Sequence, residues 1–289
     1  MKSNYRIREN GEDGEYGIVE IFDDFDLQKI ADSGQCFRWK ELNSGGYQII
    51  HQEYILVIEQ IADGLYRFHC RKDEFLTIWK DYFDLEENYS RIRRRINKDE
   101  DVFLYTASQK EAGIRILQQD LWEVLISFLI SQNRSIPLIK KSIETLAEKA
   151  GEKKIGFDGQ MYYSFLTPKA ICDMDQDALD QCKLGYRAKY VKAVSESVLE
   201  GNIDLVALKE SNEEDAGNAL MELYGVGRKV ADCVILYGLH QKDAFPVDVW
   251  MKKILSREYP DGYSLDRYRP YNGVYQQYMF AYYRWLYSN

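Results

Sequence analysis

Cysteine is scarce in this sequence, and long apolar runs are missing. None of the five cysteines lies in a C-x-x-C pair, and an odd number cannot all form disulfides; they are Cys36, Cys70, Cys172, Cys182 and Cys233. We therefore expect reduced thiols, and neither a zinc site nor an iron–sulfur cluster. The first residues are polar and charged, and the longest apolar region, around Leu121 to Ile130, is interrupted by Glu123. We expect no export signal and no membrane span, and hence a soluble, cytoplasmic protein.

Positive charge is also in short supply. Lys and Arg number 38 against 47 Asp and Glu, which gives a formal net charge of −9 over 289 residues. Taken alone, this balance argues against a nucleic-acid partner, because phosphate binding needs a positive surface. The charge of a binding face is local, however, and can differ in sign from the total. Composition therefore leaves a nucleic-acid partner open.

The first third of the chain has the pattern of antiparallel β-structure. Short runs at Tyr47–Ile50, Tyr54–Glu59 and Leu65–Cys70 are rich in β-branched and aromatic residues. Typical turn residues, Asn43–Gly46 and Asp63–Gly64, bracket these runs. The pattern predicts an antiparallel meander.

Helical spacing replaces this pattern near Lys72, and a helix is expected to begin after Ile136–Pro137. The apolar residues that recur on one helix face are Phe75, Ile78, Trp79 and Phe83, and then Ile116, Leu117, Leu121, Val124, Leu125 and Phe128. A basic cluster is most simply the solvated face of a helix; it contains Arg91, Arg93, Arg94 and Arg95. The sequence therefore predicts an α+β fold. A small N-terminal antiparallel β domain with a connecting helix occupies residues 1–98, and a larger all-α region occupies residues 99–289.

Two helices joined by a glycine turn are predicted over about residues 213–239. Ser211–Glu214 fits a capping box with Ser211 at the N-cap. The first helix stops at Tyr224–Gly227, where Gly225 and Gly227 permit positive φ and close backbone approach. The second helix begins near Arg228, and its N-terminal amides and dipole favour an anion such as phosphate. A Gly-x-Gly turn can equally be purely structural.

Lys229 and Asp248 give this segment its chemical character. Lys229 opens the second helix, and Cys233 lies four residues on, on the same face. Asp248 stands where the N-cap of a further helix is expected. Taken separately, Lys229 is most simply a surface lysine and Asp248 a cap. Together, beside a turn that suits phosphate, they offer an amine nucleophile and a carboxylate.

At this point the sequence resembles a known family. Leu223–Asp232 and Pro246–Val249 resemble the signature of helix–hairpin–helix DNA glycosylases, and most closely that of the 8-oxoguanine DNA glycosylase family. Further resembling blocks follow in the family's order, at Ser33–Trp39, Ser127–Asn133, Leu184–Tyr190 and Tyr271–Phe280. The resemblance spans nearly the whole chain and implies a helix–hairpin–helix glycosylase region after the β domain.

The resemblance implies a bifunctional DNA glycosylase and AP lyase of base excision repair. Lys229 would attack C1′ of a flipped nucleotide, expel 8-oxoguanine and form a Schiff base, with strand cleavage by β-elimination to follow. Asp248 would orient the amine and stabilise the developing charge. The Gly34 carbonyl would accept the N7 hydrogen of the oxidised base. Gln276 would bond its Watson–Crick edge, and Phe280 and Cys233 would sandwich the ring.

The resemblance also implies a partner and further contacts. The partner is double-stranded DNA containing oxidised guanine, bound by a monomer associated with the nucleoid. Asn133 would fill the space of the flipped base, with Tyr186 and Arg187 nearby, and Gly225 and Gly227 would contact the DNA backbone. No cofactor is expected. The resemblance further implies a structural monovalent cation at the hairpin, held by the backbone carbonyls of Met221, Leu223 and Val226.

Three features depart from the family's usual pattern. Leu138 stands where members from animals and fungi usually have an arginine that reads the opposite cytosine, so we expect relaxed selectivity for the opposite base. Trp250 replaces a histidine, and Tyr283 replaces its acidic partner, which leaves open the group that contacts phosphate there. The short N-terminal domain suggests a compact, bacterial-type member.

Three alternatives stay open at this level. A related glycosylase for oxidised pyrimidines would share the lysine, but such enzymes commonly carry a C-terminal four-cysteine iron–sulfur site, and no cysteine follows Cys233. A non-catalytic hairpin module would bind DNA without turnover. An unrelated acidic helical protein would show no salt-sensitive DNA affinity.

Overall fold

The computed structural model describes residues 3–10, 16–43, 45–156 and 159–287. A six-stranded antiparallel sheet is followed by a helical region, and the predicted α+β class is confirmed. No helix among the described residues is both long and apolar enough to cross a membrane.

The sheet has the strand order β1-β2-β6-β5-β4-β3. Its strands are β1 (Tyr5–Asn10), β2 (Gly17–Ile21), β3 (Trp39–Glu41), β4 (Tyr47–His51), β5 (Tyr54–Ala62) and β6 (Leu65–His69), and helix α1 (Leu27–Asp32) lies between β2 and β3. The predicted meander corresponds to β4, β5 and β6, which pair antiparallel as neighbours. The sequence interpretation missed β1 to β3, which extend the meander on both edges.

A helical stretch after β6 contains the aromatic residues predicted to recur at helical spacing. It consists of α2 (Lys72–Glu74), a π-helical segment (Phe75–Trp79) and α3 (Lys80–Tyr82). The wider π turn changes the spacing, and Phe75, Trp79 and Phe83 are all buried against the sheet.

The remaining helices build the second region. They are α4 (Tyr89–Arg93), α5 (Val102–Lys110), α6 (Leu121–Ser131), α7 (Ile136–Ala150), α8 (Pro168–Asp173), α9 (Gln176–Gln181), α10 (Arg187–Leu199), α11 (Leu205–Lys209), α12 (Glu213–Met221), α13 (Arg228–Tyr237), α14 (Val249–Glu258), α15 (Leu265–Tyr268) and α16 (Asn272–Tyr287). A small hairpin, β7 (Lys153–Ile155) and β8 (Met161–Tyr163), interrupts them. The apolar helix α6 is buried along almost its whole length and packs against α7, α10 and α13. It therefore forms the centre of the helical core.

Buried polar contacts join the sheet to the helices. The Arg38 guanidinium, after the loop that leads into β3, pairs with Glu144 of α7 at 2.9 Å and donates to the Tyr163 carbonyl. Gln35 is fully buried and bonds the Arg115 carbonyl and the Leu117 amide. These contacts fix the loop around Gly34 relative to the helical region.

Two local predictions need correction. Ser211 is not the N-cap of α12, because Asn212 takes that position and accepts from the Asp215 amide at 2.9 Å. The Ser211 hydroxyl instead donates to the Ala207 carbonyl of α11. The basic cluster is not simply a solvated face either, since Arg93 is mostly buried in an ion pair with Asp24.

Candidate active site

The helix–hairpin–helix consists of α12, a six-residue turn and α13. Gly225 has φ +88°, and a Cβ at this position would lie 2.4–2.7 Å from ring atoms of Tyr190. Only glycine fits there. Gly227 is the N-cap of α13 with φ −98°, so it does not use the positive φ that the sequence interpretation allowed it. A Cβ at Gly227 would meet nothing within 4 Å, which leaves the backbone amides at the start of α13 open to an incoming group.

The Asn133 loop is tied to this hairpin. The side-chain amide of Gln132 donates to the Gly225 carbonyl at 3.0 Å. Arg187, at the start of α10, donates to the backbone carbonyls of Gln132 and Asn133. Asn133 itself is exposed at φ +50°. Tyr186 is also exposed, and its ring lies under the Arg187 guanidinium at 4.4 Å. The exposed Asn133 and Tyr186 are therefore held beside the hairpin by two supporting side chains, Gln132 and the buried Arg187.

A second group of predicted residues meets around one small cavity of about 50 Å³. Six of its lining residues were predicted from the sequence, and they are Gly34, Lys229, Cys233, Asp248, Gln276 and Phe280. They come from four separate stretches of chain, the loop after α1, helix α13, the N-cap of α14 and helix α16. Such convergence of an amine, a carboxylate and polar and aromatic groups is the expected pattern of an active site.

Lys229 lies against apolar and thiol groups in this cavity. Its Nζ stands 4.9 Å from the centre of the Phe128 ring on α6, and it contacts the Cys233 thiol one helical turn away. Burial raises the pKa of Cys233 to about 11, so this thiol stays neutral near pH 7 and offers an uncharged, polarisable wall. The Phe128 ring stacks in turn on Tyr237 of α13, with ring centres 5.4 Å apart.

Asp248 is held by the helix that it caps. Its Oδ1 accepts from the Trp250 and Met251 amides at 3.0 and 2.8 Å, as the predicted N-cap requires. Both bonds involve the same oxygen, so the other carboxylate oxygen is not needed for the cap. The backbone of α14 therefore fixes a carboxylate at the wall of the cavity that also contains Lys229.

Gly34 reaches the cavity because Gln35 anchors its loop. Gly34 has φ +81°, which favours glycine, and the Phe280 ring lies about 3.5 Å from where a Cβ would stand. The Gln35 side chain bonds Ser33 Oγ, the Arg115 carbonyl and the Leu117 amide, each at 2.8 Å. The backbone of the Gly34 loop is therefore set from behind by a buried amide.

Sequence reasoning missed several residues of the cavity wall. Gln276 donates to the Pro246 carbonyl at 3.2 Å and accepts from the side-chain amide of Gln277, which also bonds the Tyr237 hydroxyl at 2.6 Å. The missed wall residues are Ser33, Phe128, Tyr237, Pro246 and Gln277. Gln277 follows a predicted residue directly, but its inward orientation depends on how α16 packs against α13.

The helix ends beside the cavity carry charges of both signs. Neither α13 nor α14 has an acidic residue in its first turn, where Asp and Glu are usually favoured. Arg228 and Lys229 open α13, and Lys252 and Lys253 follow the first turn of α14. The helix dipoles and the basic side chains have the same sign, whereas Asp248 caps α14 and Asp232 pairs with Arg228 at 2.8 Å.

The structure also gives the surroundings of the three residues that depart from the family pattern, Leu138, Trp250 and Tyr283. Leu138 is half exposed on α7 and supplies no polar group. Trp250 meets Tyr283 edge to face at 6.2 Å, so the two replaced residues contact each other as an aromatic pair. Lys253 lies over the Trp250 ring with its Nζ 4.9 Å from the ring centre. A cation is therefore present beside the position of the missing histidine.

Comparison with known proteins gives two family matches that divide the chain between them. Residues 19–125 match the model of the 8-oxoguanine DNA glycosylase N-terminal domain. Residues 126–262 match the model of the HhH-GPD superfamily of base excision DNA repair proteins.

Individual proteins extend the similarity over nearly the whole chain. The N-glycosylase/DNA lyase of Saccharomyces cerevisiae is 34% identical over 257 residues, covering 81% of this chain and 68% of that protein. The 8-oxoguanine glycosylase/lyase of Clostridium acetobutylicum, solved with double-stranded DNA containing cytosine opposite 8-oxoguanine, is 34% identical with a TM-score of 0.87, covering 97% of this chain and 99% of that one. MBOgg1, solved with a low-affinity DNA ligand, is 37% identical with a TM-score of 0.91 and 99% coverage of both chains. The chain therefore belongs to the 8-oxoguanine DNA glycosylase family, within the HhH-GPD superfamily.

Proposed function

We propose that this protein excises 8-oxoguanine from double-stranded DNA through a Schiff base on Lys229 and then cleaves the strand by β-elimination. The observation that carries the proposal is the single cavity at which Lys229 and Asp248 meet Gly34, Cys233 and the α16 residues. An amine and a carboxylate at one apolar wall are the groups that covalent displacement at a sugar carbon needs.

The proposed chemistry assigns a role to each predicted residue that lines the cavity. The neutral amine of Lys229 attacks C1′, and the bond to the base breaks with its electron pair on the departing base, which takes up a proton. The nitrogen then loses a proton, and its electron pair forms the C=N bond of the Schiff base as the C1′–O4′ bond breaks and O4′ is protonated. Asp248, already fixed by the amides of α14, orients the amine and stabilises the positive sugar. The Gly34 carbonyl accepts the N7 hydrogen that distinguishes the oxidised base, and Gln276 bonds the Watson–Crick edge. A cavity of about 50 Å³ holds only a few water molecules, so Phe280 and Cys233 must part to admit the ring.

The DNA surface follows from the same arrangement. The open amides of α13 at Gly227 hold the backbone of the lesion strand, with Gly225 shaping the turn. Asn133, exposed and adjacent to Tyr186 and Arg187, enters the space that the flipped nucleotide leaves. The protein acts as a monomer on nucleoid DNA in the cytoplasm, and needs no cofactor for the chemistry.

We also propose a monovalent cation at the hairpin. Met221 ends α12, where the helix dipole is negative, and Leu223 and Val226 follow in the turn; the Leu223 carbonyl also accepts from the Val226 amide at 3.0 Å. The carbonyls of Met221, Leu223 and Val226 suit a hard cation of low charge. Thermal unfolding should then occur at higher temperature in potassium or sodium chloride than in tetramethylammonium chloride of equal strength, and equal midpoints would count against the site.

The catalytic proposal is tested by reductive trapping. A duplex containing 8-oxoguanine is incubated with the protein and borohydride, and the protein–DNA adduct is resolved by denaturing electrophoresis. Wild type should give the adduct and Lys229→Gln should not. Lys72→Gln, which removes an exposed lysine at the start of α2 that does not line the small cavity, is the matched control and should still be trapped. A wild-type protein that forms no adduct and releases no base would refute the proposal and favour a non-catalytic DNA-binding module.

A further inference from the structure

Arg134, between Asn133 and the N-cap of α7, has donors without partners. Its Nη1 is buried and bonds no acceptor within the part of the chain that the structure describes. No carboxylate among residues 3–10, 16–43, 45–156 and 159–287 forms an ion pair with it. Buried polar groups are almost always satisfied, and a charged donor left unpaired is costly. Nη1 of Arg134 therefore remains available to an acceptor from outside the described part of the chain.

The neighbouring charge makes the position less favourable still. Burial, and after it the like charge of Arg187, lowers the pKa of Arg134. Arg187 cannot take over its role, because its guanidinium is already committed to the carbonyls of Leu184, Gln132 and Asn133. Of the two adjacent guanidinium groups, Arg187 holds the loop together and Arg134 has donors left for a ligand.

The place of Arg134 in the fold indicates what the ligand is. Asn133, immediately before it, is exposed at φ +50°, in the left-handed region that non-glycine residues seldom adopt. Ser135, immediately after it, is an N-cap whose side chain makes no capping bond, so the start of α7 is also unfilled. Asn133 is the residue proposed above to enter the duplex, so the donors of the adjacent Arg134 lie next to that insertion point.

We propose that Arg134 is a specificity-determining residue that reads the base opposite 8-oxoguanine and selects cytosine; the inference rests on the proposed function. A guanidinium offers paired N–H donors in a fixed fork and no acceptor. When 8-oxoguanine leaves the stack, an opposite cytosine exposes two adjacent acceptors, N3 and O2. On the Watson–Crick edges of the other bases an N–H donor or a C–H group stands beside or between the acceptors. Among Watson–Crick edges, the fork therefore matches that of cytosine.

Arg134 thus carries the donors that Leu138 lacks one helical turn further on. The two residues predict opposite behaviour towards the base opposite the lesion: Leu138 predicts relaxed selectivity, and Arg134 predicts selectivity for cytosine. One experiment distinguishes these two predictions.

The experiment compares wild type with Arg134→Gln, Arg134→Lys and the control Arg71→Gln. Arg71 is an exposed arginine at the start of α2 in the β domain, paired only with exposed Asp73. Single-turnover base release is measured on duplexes with 8-oxoguanine opposite cytosine, adenine, guanine or thymine. Equilibrium binding is measured to duplexes with a stable abasic analogue opposite cytosine or adenine, and this second measurement requires no catalysis.

We expect wild type and Arg71→Gln to prefer cytosine in both measurements. Arg134→Gln should lower the cytosine-to-adenine ratio roughly ten- to hundredfold, the range supplied by a bidentate base contact. Arg134→Lys should lower it similarly, because lysine keeps the charge but not the fork. The adenine duplex should be affected much less.

Three results would overturn the inference. One is wild-type protein without cytosine preference, as Leu138 predicts. Another is an unchanged ratio in Arg134→Gln. The third is equal weakening on all duplexes with a smaller salt dependence, restored by Arg134→Lys, which would identify a phosphate contact. If wild type releases no base, the proposed function fails, and the binding ratio still decides the role of Arg134.

Discussion

Replacing Gly225 by alanine should destabilise the folded protein, whereas replacing Gly227 by alanine should lower only the affinity of the protein for DNA. The two glycines are separated by one residue, but their surroundings differ. Gly225 has φ +88°, and its added methyl carbon would lie 2.4 Å from Tyr190 Cγ. Gly227 has φ −98°, which any residue adopts, and open space above it.

The size of the effect at Gly225 follows from two costs and one gain. An L-residue in the left-handed region costs about 1–2 kcal/mol. Forcing a methyl group into packed neighbours costs about 1–3 kcal/mol, and the atoms it meets are the rigid base of the Tyr190 ring, held by Tyr186 and Tyr224. Alanine restricts the unfolded chain, which offsets about 0.4–1 kcal/mol. The free energy of unfolding should therefore fall by about 2–4 kcal/mol, a large share of the stability of an ordinary domain.

Urea unfolding of the free protein measures this change, and fluorescence anisotropy with a labelled undamaged duplex measures the affinity for DNA. Gly227→Ala should unfold within about 1 kcal/mol of wild type, because its backbone is compatible with alanine. Its DNA affinity should fall, since the new methyl group stands over the amides that hold the DNA backbone. Equal losses of stability in the two variants, or none at Gly225, would show that the hairpin relaxes freely and would refute this reasoning.

Three other predictions follow from buried contacts. Asp248→Asn should keep the cap and the unfolding free energy while lowering base release by about 10²–10⁴-fold, whereas Asp248→Ala should also lose about 0.5–2 kcal/mol of stability; similar base release in Asp248→Asn and wild type would exclude a role for the charge. Gln35→Met should leave two backbone groups unsatisfied, lower stability by at least about 1–3 kcal/mol, and reduce base release more than DNA binding by displacing the Gly34 loop, which kinetics and anisotropy would compare. Burial raises the pKa of Glu123 to about 7, so from about pH 4.5 to 7 the folded state keeps a proton that the unfolded state has lost, and wild-type stability should fall as pH rises through this range. Glu123→Gln should lessen that fall in urea titrations; Asp232, whose pKa burial raises to about 6, contributes to the part that remains. A pH profile parallel to that of wild type would contradict the prediction.

Local sequence was enough to predict the groups whose positions depend on local structure. Lys229 and Cys233 are four residues apart on one helix, so their shared face follows from helical periodicity. Asp248 as an N-cap follows from its residue type before an apolar helix, and the model confirms that cap. The resemblance to the family then supplied Gly34, Gln276 and Phe280, which the cavity does bring together with Lys229.

The remaining wall of the site depends on packing between distant helices, which sequence spacing does not encode. Nothing in the local sequence distinguishes Phe128 and Tyr237 from ordinary core residues, and both are buried. The contact between α6 and α13 places their stacked rings at the cavity. The capping error at Ser211 has a different cause. Two adjacent polar residues, Ser211 and Asn212, can both cap, and the bond from Ser211 to α11 decides between them.

The same limit applies to Arg134. Its side chain looks like any surface arginine in the sequence, because an unpaired donor is defined by the partners that the fold fails to provide. Gly227 is the reverse case, since the sequence allowed a strained backbone that the structure does not use. Local patterns thus indicate which conformations are permitted, and tertiary contacts select among them.

The Gly34 loop and Lys229 belong to different regions of the fold, so the group proposed to recognise the base and the proposed nucleophile are carried by separate parts of the chain. The lysine and the hairpin belong to the helical region, while the carbonyl proposed to test the base comes from the loop beside the sheet. A molecule in which the sheet had come loose would retain its nucleophile but lose its means of recognising damage. The buried contacts of Gln35 and Arg38 hold the two regions together. These contacts therefore keep the Lys229 amine together with the Gly34 carbonyl. Excision of an undamaged base is thereby made less frequent, because the amine does not act without the group that distinguishes 8-oxoguanine from guanine.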